Sequence, residues 1–258
     1  MLSRPEFLFE LARRRILERH IGSSIVVLWV VLAPLIPLAT NLAVFYFIAK
    51  IPTIQSMGVV TYAVYIFSGL LPFRIMQSSV AEASELLVGN MEMLKSVSFP
   101  ISYLSMAAVA ALMLEFGIQS VLMLVLLLVS GTGVTLHILW LPFAVVLLVV
   151  FLLGLSWAVS VVAYFFRDLR EILGVAFSVL LYLSPVMYPL AAVPPLMKEF
   201  ITLNPISHFV IIFRDALLPM GDSMHWDSWF FAAVMATLAF GIGGLAIHRT
   251  RLFVGDMV

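Results

Sequence analysis

The chain has 258 residues, of which 63% are hydrophobic and only 11% are charged, and its mean hydropathy is +1.14. About a quarter of the residues of a soluble domain are charged, so this composition excludes an ordinary water-soluble protein. The formal net charge is zero and cysteine is absent. The sequence therefore offers neither a basic surface for nucleic acid nor thiolate chemistry.

Charged residues are absent from six long stretches, the longest of which runs for 51 residues from Phe116 to Phe166. A charge at the centre of a spanning helix costs roughly 2.5 to 3.5 kcal/mol, and a span needs about 20 apolar residues. A glycine-containing turn, Ser130-Gly131-Thr132-Gly133, divides the longest stretch. We expect an all-α integral membrane protein with one transmembrane domain over residues 1–258. The six predicted spans are Gly22–Ala49, Val59–Ala81, Ser102–Val129, Ile138–Tyr164, Ile172–Tyr188 and Ser228–His248.

Basic residues are distributed unequally between the two sides that these spans create. The side of the amino terminus holds most of them. Because cytoplasmic loops carry an excess of lysine and arginine, both termini are expected in the cytoplasm. The residues on the inner side are Arg4, Arg13, Arg14, Arg15, Arg19, Lys95, Arg167, Arg170, Arg249 and Arg251, and those on the outer side are Lys50, Lys198 and Arg214.

The segment 1–21 combines arginines with an apolar face. Ser3 is a suitable helix cap and Pro5 fits the first helical turn, so the segment is predicted to form an amphipathic helix on the inner leaflet. A solvated basic tail is the alternative. In the helical interpretation the arginines would face anionic lipid headgroups. The candidates for binding lipid phosphate are Arg13, Arg14, Arg15 and Arg19.

The segment 189–227 is apolar but interrupted by prolines and charges, among them Arg214-Asp215. It is either a seventh span or a pair of short re-entrant helices. A seventh span would move Arg249 and Arg251 to the outer side and bury the Arg-Asp pair, so we favour two helices that enter from the outer face. Irregular backbone at membrane depth is tolerated only where protein or a water-filled cavity surrounds it, which makes this segment a candidate gate.

The sequence contains no convincing site for a cofactor or for catalysis. The segment Gly89–Ser96 resembles a phosphate-binding loop but has Leu94 in place of the second glycine, and no strand precedes it. The five histidines are scattered without a partner at ligand spacing, and no G-x-S-x-G motif occurs. We therefore expect a protein that is not an enzyme; if ATP drives it, another polypeptide binds the ATP.

Two charges are predicted to lie within spans, Arg74 in the second and Glu115 in the third. Ionisable groups inside a membrane are candidates for function, and these two could pair with each other. Glu115 is interpreted either as a residue that orients helices or as a proton relay.

Aromatic residues cluster near the ends of several spans. Most such residues anchor a protein at the membrane interface. Sugar rings, however, also pack their C–H faces on aromatic rings, so an aromatic-lined passage would suit a polysaccharide. The candidates for lining such a path are Trp29, Tyr46, Tyr65, Tyr182 and Tyr188.

Five groups of residues carry a family resemblance that covers nearly the whole chain. In order they are Arg19-His20-Ile21-Gly22 with Trp29 and Pro34; Asn90, Leu94, Lys95, Val97, Phe99 and Pro100; Arg167-Asp168-Leu169; Ser184-Pro185-Val186-Met187-Tyr188; and Asn204-Pro205-Ile206-Ser207-His208 with Arg214. Together they resemble the membrane subunits of bacterial type-two ABC exporters, in particular the capsular polysaccharide and O-antigen permeases of the KpsM and Wzm kind. Val26 departs from the pattern, because many members have glycine there.

The resemblance implies a homodimer in the bacterial inner membrane, with the path between the protomers. It also implies a separate ATP-binding subunit that holds ATP and Mg, a lipid-linked polysaccharide as cargo, and periplasmic export components as further partners. The N-terminal arginines would receive the phosphate of the lipid linker. Residues expected to contact the ATPase, in the segments 82–101 and 167–171, are Asn90, Leu94, Lys95, Phe99, Pro100, Arg167, Asp168 and Arg170. Residues expected along the gate are Pro205, His208 and Arg214.

Two other functions remain open from the sequence. An exporter of a small molecule or lipid in the same superfamily would have the same architecture. An ion-coupled secondary carrier would use intramembrane charges such as Glu115 and would work without an ATPase.

Overall fold

The structure is a computed structural model that describes residues 26–90, 101–131, 133, 135–166, 168–218 and 224–255. These residues form helices joined by short connections, and no strand occurs among them. The prediction of an all-α protein is confirmed for this part of the chain. The helices are α1 (Val26–Leu42), which continues as a π-helix over Ala43–Ile48, α2 (Pro52–Gln55), α3 (Val59–Leu86), α4 (Ile101–Ser130), α5 (Leu141–Phe165), α6 (Leu169–Leu183), α7 (Pro195–Leu203), α8 (Pro205–Leu217) and α9 (Trp226–Gly255).

Four helical segments of the described chain are long and apolar enough to cross a bilayer, and they correspond to predicted spans two, three, four and six. Helices α7 and α8 meet at 93° and make a fifth candidate, either as one broken span or as a re-entrant loop. In the fifth predicted span, helix α6 has 15 residues, fewer than the roughly 20 that a single crossing needs. In the first predicted span, helical residues run over Val26–Ile48, and the residues before Val26 lie outside the described part. The four long segments are Val59–Leu86, Ser102–Ser130, Leu136–Phe165 and Trp226–Thr250.

The fifth predicted span, Ile172–Tyr188, differs most from the structure. Helix α6 begins earlier, at Leu169, and ends at Leu183, because Ser184 is extended at φ −106° and ψ 149°. The proline at position 185 explains this end, since its ring disfavours helical geometry in the preceding residue. The prediction that the helix reaches Tyr188 is wrong, and residues 184–188 form an unwound connection instead.

Helix α3 is the centre of the fold. Its most apolar window is 72% buried, whereas the corresponding windows of the other three long segments are 22% to 28% buried. It packs against α1, α4, α5, α6 and α8. Protein therefore surrounds α3, while α4, α5 and α9 keep broad faces for lipid or for a partner.

Helices α5 and α9 approach each other closely at two glycines. A Cβ added at Gly243 would lie 2.8 Å from the carbonyl carbon of Gly154 and closer still to its oxygen. Nothing lies within 4 Å of a Cβ added at Gly241, and one added at Gly244 would meet only Trp157, at 3.9 Å. Small residues let helix backbones approach in membranes. Of the three glycines on this part of α9, Gly243 makes the close contact.

Candidate functional site

The unwound segment 184–188 brings non-helical backbone into the interior of the protein. Its residues Ser184, Val186 and Met187 are fully buried. A buried carbonyl without a donor costs roughly 1 to 3 kcal/mol, so this segment requires donors from elsewhere in the protein. Side chains from α3 and α8 supply them to the carbonyls of Pro185, Val186, Met187 and Tyr188.

Two tyrosines on α3 donate to the end of this segment. The hydroxyl of Tyr62 donates to the Met187 carbonyl at 2.7 Å, and the hydroxyl of Tyr65 donates to the Tyr188 carbonyl at 3.0 Å. Tyr62 and Tyr65 lie one turn apart on the same face of α3, and their rings stack with centroids 6.3 Å apart. The hydroxyl of Tyr188 in turn donates to the Tyr182 carbonyl at 2.6 Å, back on α6.

Arg214 on α8 donates to the beginning of the segment. Its Nη1 donates to the Pro185 carbonyl, and its Nη2 donates to the Val186 carbonyl at 2.6 Å. The guanidinium carbon lies 3.6 Å from the centroid of the Tyr65 ring, which is a cation–π contact. The side chain is buried at 7% exposure. Two carbonyls of the unwound segment and the face of the Tyr65 ring therefore stabilise this charge.

Gly69 makes room for this arrangement. A Cβ at this position would lie 2.9 Å from Nη2 of Arg214 and 3.2 Å from the Cα of Val186. Tyr62, Tyr65 and Gly69 share one stripe of α3 at spacings of three and four residues. The stripe thus combines two donors with a gap that admits the guanidinium.

The neighbouring charge, Asp215, points away from Arg214. Its Oδ1 accepts from Nδ1 of His225 at 2.7 Å, and its Oδ2 accepts from Nε1 of Trp229 at 3.2 Å. The backbone N–H of His225 also donates to Oδ2, at 2.9 Å. Side chains of consecutive residues on an α-helix point in directions about 100° apart, so Arg214 and Asp215 contact different partners. The adjacent charges of Arg214-Asp215 do not form an ion pair with each other.

The junction of α7 and α8 depends on Asn204 and His208. The Asn204 side chain accepts from the N–H of Ile206 at 3.0 Å and donates to Ser184 Oγ at 2.9 Å, so it caps α8 and contacts the unwound segment. Pro205 occupies the first position of α8, where its missing N–H has no cost. His208 is buried, with Nε2 2.8 Å from the Thr202 carbonyl.

At the opposite end of α3 and α6, the two predicted ATPase-contact segments meet. Arg170 on α6 forms an ion pair with Glu85 on α3, and both side chains are more than half exposed. Asn90 donates to the Leu86 carbonyl at 2.7 Å, after the last turn of α3. Asp168 precedes α6 at its N-cap position. The remaining candidates of this set, Leu94, Lys95, Phe99, Pro100 and Arg167, lie outside the described residues.

The two intramembrane charges lie on neighbouring helices. Arg74 on α3 is half-buried and attracts Glu115 on α4 electrostatically. Glu115 also accepts a hydrogen bond from Gln119 one turn later, at 3.2 Å. These contacts agree with the interpretation that Glu115 orients α3 and α4 relative to each other. The role of Glu115 in transport stays a prediction.

The predicted path residues fall into three groups. Tyr65, Tyr188 and Arg214 form the network around the unwound segment, and Tyr46 joins it through its ring, whose centroid lies 6.0 Å from that of Tyr62. Tyr182 is 60% exposed on the outside of α6. The backbone of Trp29 lies in α1. Its side chain and the arginines 13, 14, 15 and 19 lie outside the described part.

Four residues of this region have no role among the sequence-based predictions of site residues: Tyr62, Gly69, Ser184 and Asp215. A tyrosine-tyrosine-glycine stripe at helical spacing on α3 was the available signal for Tyr62 and Gly69. The described residues hold no group of three metal-ligating side chains. The hydrogen bonds of Tyr62, Tyr65 and Arg214 shape the path of the backbone after α6.

These features define an all-helical integral membrane protein in which a buried polar network surrounds a broken helix. Discontinuous helices of this kind are characteristic of membrane transport proteins, where irregular backbone is buried in protein. The family model described as ABC-2 type transporter matches residues 6–218. The chain belongs to this family of membrane proteins, which confirms the resemblance found in its motifs.

Three relatives show what the chain is similar to. The O-antigen export system permease protein RfbA of Klebsiella pneumoniae is 26% identical over 201 residues, which is 78% of this chain and 75% of the relative. The protein of the same name from Myxococcus xanthus is 26% identical over 186 residues, 72% of this chain and 69% of the relative. The polysialic acid transport protein KpsM of Escherichia coli is 26% identical over 233 residues, 87% of this chain and 85% of the relative.

Proposed function

We propose that the protein is the transmembrane subunit of an ATP-driven ABC exporter that moves a lipid-linked polysaccharide, capsular or O-antigen, across the bacterial inner membrane. One observation carries this proposal. The family match extends over residues 6–218, and relatives covering most of the chain are named for O-antigen export or for polysialic acid transport; O-antigen and polysialic acid are both polysaccharides.

The energy source in this proposal is a separate ATP-binding subunit that holds ATP and Mg. Closure of that subunit would push on the segments 82–101 and 167–171. The ion pair between Glu85 and Arg170 supports this idea, because it brings the starts of both segments together at one end of the molecule. A ligand shifts a conformational equilibrium only through different contacts with the two states, and these segments would provide them.

The proposed topology has six spans, both termini in the cytoplasm and an interface helix over residues 1–21. Segment 189–227 would then be re-entrant from the outer face. The 93° bend between α7 and α8 supports this arrangement, since each helix is too short to cross a bilayer alone. In this topology the polar network around Arg214 lies at the outer end of α3.

A second copy of the chain would complete the transport path. Helix α6 packs mainly against α3, and Phe177 is its buried residue. Its outward stripe at helical spacing consists of Ile172, Val175, Val179 and Tyr182, all more than half exposed. We place this stripe against the partner protomer or the cargo. Tyr182 is then the tyrosine of the predicted path that is positioned to touch sugar.

The buried residues among the path candidates are assigned a different role from the exposed Tyr182. The Tyr65 hydroxyl, the His208 ring and the two terminal nitrogens of Arg214 make hydrogen bonds inside the protomer, so we assign these residues to shaping the gate. The arginines at positions 13, 14, 15 and 19 remain the proposed binding site for the linker phosphate. Periplasmic export components would take the polysaccharide after it leaves the gate.

The direct test is reconstitution of export in a host that lacks its own permease. Co-expression with the ATP-binding subunit should restore polysaccharide at the cell surface, and a hydrolysis-deficient ATPase should abolish it. The proposal fails if the two proteins do not co-purify. It also fails if transport follows a proton gradient and ignores loss of the ATPase, which would indicate a secondary carrier. Normal flux of a small molecule or lipid in a polysaccharide-deficient host would indicate a different cargo.

A further inference from the structure

Three side chains hold the unwound segment after α6. Tyr62 and Tyr65 belong to α3 and Arg214 belongs to α8, and together they donate to four consecutive carbonyls, from Pro185 to Tyr188. We call this set the carbonyl clamp. Since its acceptors are main-chain atoms, the clamp fixes the path of the backbone itself.

The clamp joins α6 and α8, which both pack on α3 but make few direct contacts with each other. Helix α8 packs on α3, α5 and α9, whereas α6 packs mainly on α3. Arg214 reaches 28 or 29 residues back along the chain to the carbonyls that follow α6. The guanidinium therefore joins the end of α6 to the pair of helices α7 and α8.

The same two helices, α3 and α6, are also joined at their other end by Glu85 and Arg170. A ring contact between Phe73 and Phe177, with centroids 5.8 Å apart, lies between the two connections. Contacts at both ends and in the middle therefore join α3 to α6. These contacts form a continuous connection from Arg170 to the unwound segment.

We infer that Tyr62, Tyr65 and Arg214 are positioning residues for transport, which transmit movement of α3 and α6 to the α7–α8 pair. This inference rests on the proposed function. The clamp does not touch cargo; it determines whether the outer helices follow the helices that the ATPase moves.

The chemistry of the clamp makes specific demands on these side chains. The planar guanidinium donates to two neighbouring carbonyls at once, and a lysine ammonium does not reproduce this geometry. Arg214→Lys therefore keeps the positive charge and loses the paired hydrogen bonds. Tyr62→Phe and Tyr65→Phe remove one hydroxyl each and keep the rings. Tyr164→Phe on α5 is the matched control, since the Tyr164 hydroxyl makes no hydrogen bond within the described residues.

The experiment compares these variants in the complex with the ATP-binding subunit. ATP hydrolysis, polysaccharide export and the amount of assembled complex are measured for each. We expect the double variant Tyr62→Phe, Tyr65→Phe and the variant Arg214→Lys to hydrolyse ATP and assemble as the wild type does. Export per ATP hydrolysed should fall about tenfold, since each loses hydrogen bonds to buried carbonyls, and the control should match the wild type.

A second readout follows the outer helices and does not depend on the cargo. The chain has no cysteine, so Leu196→Cys on α7, where Leu196 is 74% exposed, provides a unique label position. Its rate of maleimide labelling should change when ATP and Mg are added to otherwise wild-type protein. In the clamp variants this change should disappear.

The outcomes separate the inference from the function on which it rests. Unchanged coupling and unchanged labelling in the clamp variants would overturn the inference. So would a parallel fall of hydrolysis, export and assembly, because that pattern belongs to a purely structural role. If the wild-type complex hydrolyses ATP but exports no polysaccharide, the proposed cargo is wrong. The labelling of Leu196→Cys then still decides the role of the clamp.

Discussion

Replacement of Gly243 by alanine should destabilise the protein, whereas the same replacement at Gly241, two residues earlier on α9, should not. A Cβ at Gly243 would lie 2.8 Å from the Gly154 carbonyl carbon, while nothing lies within 4 Å of a Cβ at Gly241. Ordinary carbon–carbon contacts are about 3.5 to 4.0 Å, so α9 would have to withdraw from α5 by about 1 Å.

The size of the effect follows from two opposing contributions. Overpacking of a tight interface costs about 1 to 3 kcal/mol. Alanine has a better helix propensity than glycine by about 1 kcal/mol, and this gain applies equally at both positions. The free energy of unfolding should therefore be lower for Gly243→Ala than for Gly241→Ala by about 1 to 3 kcal/mol.

Unfolding of the purified protein in detergent micelles, followed by helical circular dichroism against a denaturant, would measure this difference. Gly244→Ala is a further control, because the new methyl would make an ordinary contact with Trp157. Equal stability of Gly241→Ala and Gly243→Ala would show that α5 and α9 do not pack through Gly154.

Three further predictions concern charge and capping. Reversal of either Glu85 or Arg170 should lower ATP-coupled export, and the double swap should recover it; no recovery would mean that Arg170 contacts the ATPase directly. Asn204→Ala should lower the free energy of unfolding by about 1 kcal/mol through loss of the α8 cap, and Asn204→Ser should recover most of that loss. Glu115→Gln should reduce assembled protein and export in proportion, whereas lost export at normal assembly would favour a proton relay.

The membrane character of the chain and most of its long helices were predictable because they depend on local composition. Charge-free stretches located α3, α4, α5 and α9, and glycines at positive φ, Gly131 at 68° and Gly133 at 80°, occur in the predicted turn. The end of α6 was misplaced because apolar residues continue to Tyr188. The Pro185 ring outweighs that composition.

The candidate site was less predictable because its partners are main-chain atoms. Arg214 was selected as a gate residue, but nothing in a side-chain pattern indicates that it binds carbonyls 28 and 29 residues earlier. The pairing of Arg170 with Glu85, 85 residues apart, depends likewise on how α3 and α6 pack. Asp215 is adjacent to Arg214 in the sequence, which suggests an Arg-Asp pair. In the structure Asp215 contacts His225 and Trp229 instead.

The long range of the clamp limits how the protein can be recombined with its relatives. Tyr62 donates to a carbonyl 125 residues later, so a chimera that exchanges only the residues after α6 separates donor from acceptor. If the two parental sequences are joined between α3 and α6, the carbonyls after α6 come from one parent and the tyrosines of α3 come from the other. The hydrogen bonds between them then depend on whether the second parent has tyrosines at these positions. Functional hybrids should therefore inherit the tyrosine stripe, the loop after α6 and the arginine of α8 from a single parent.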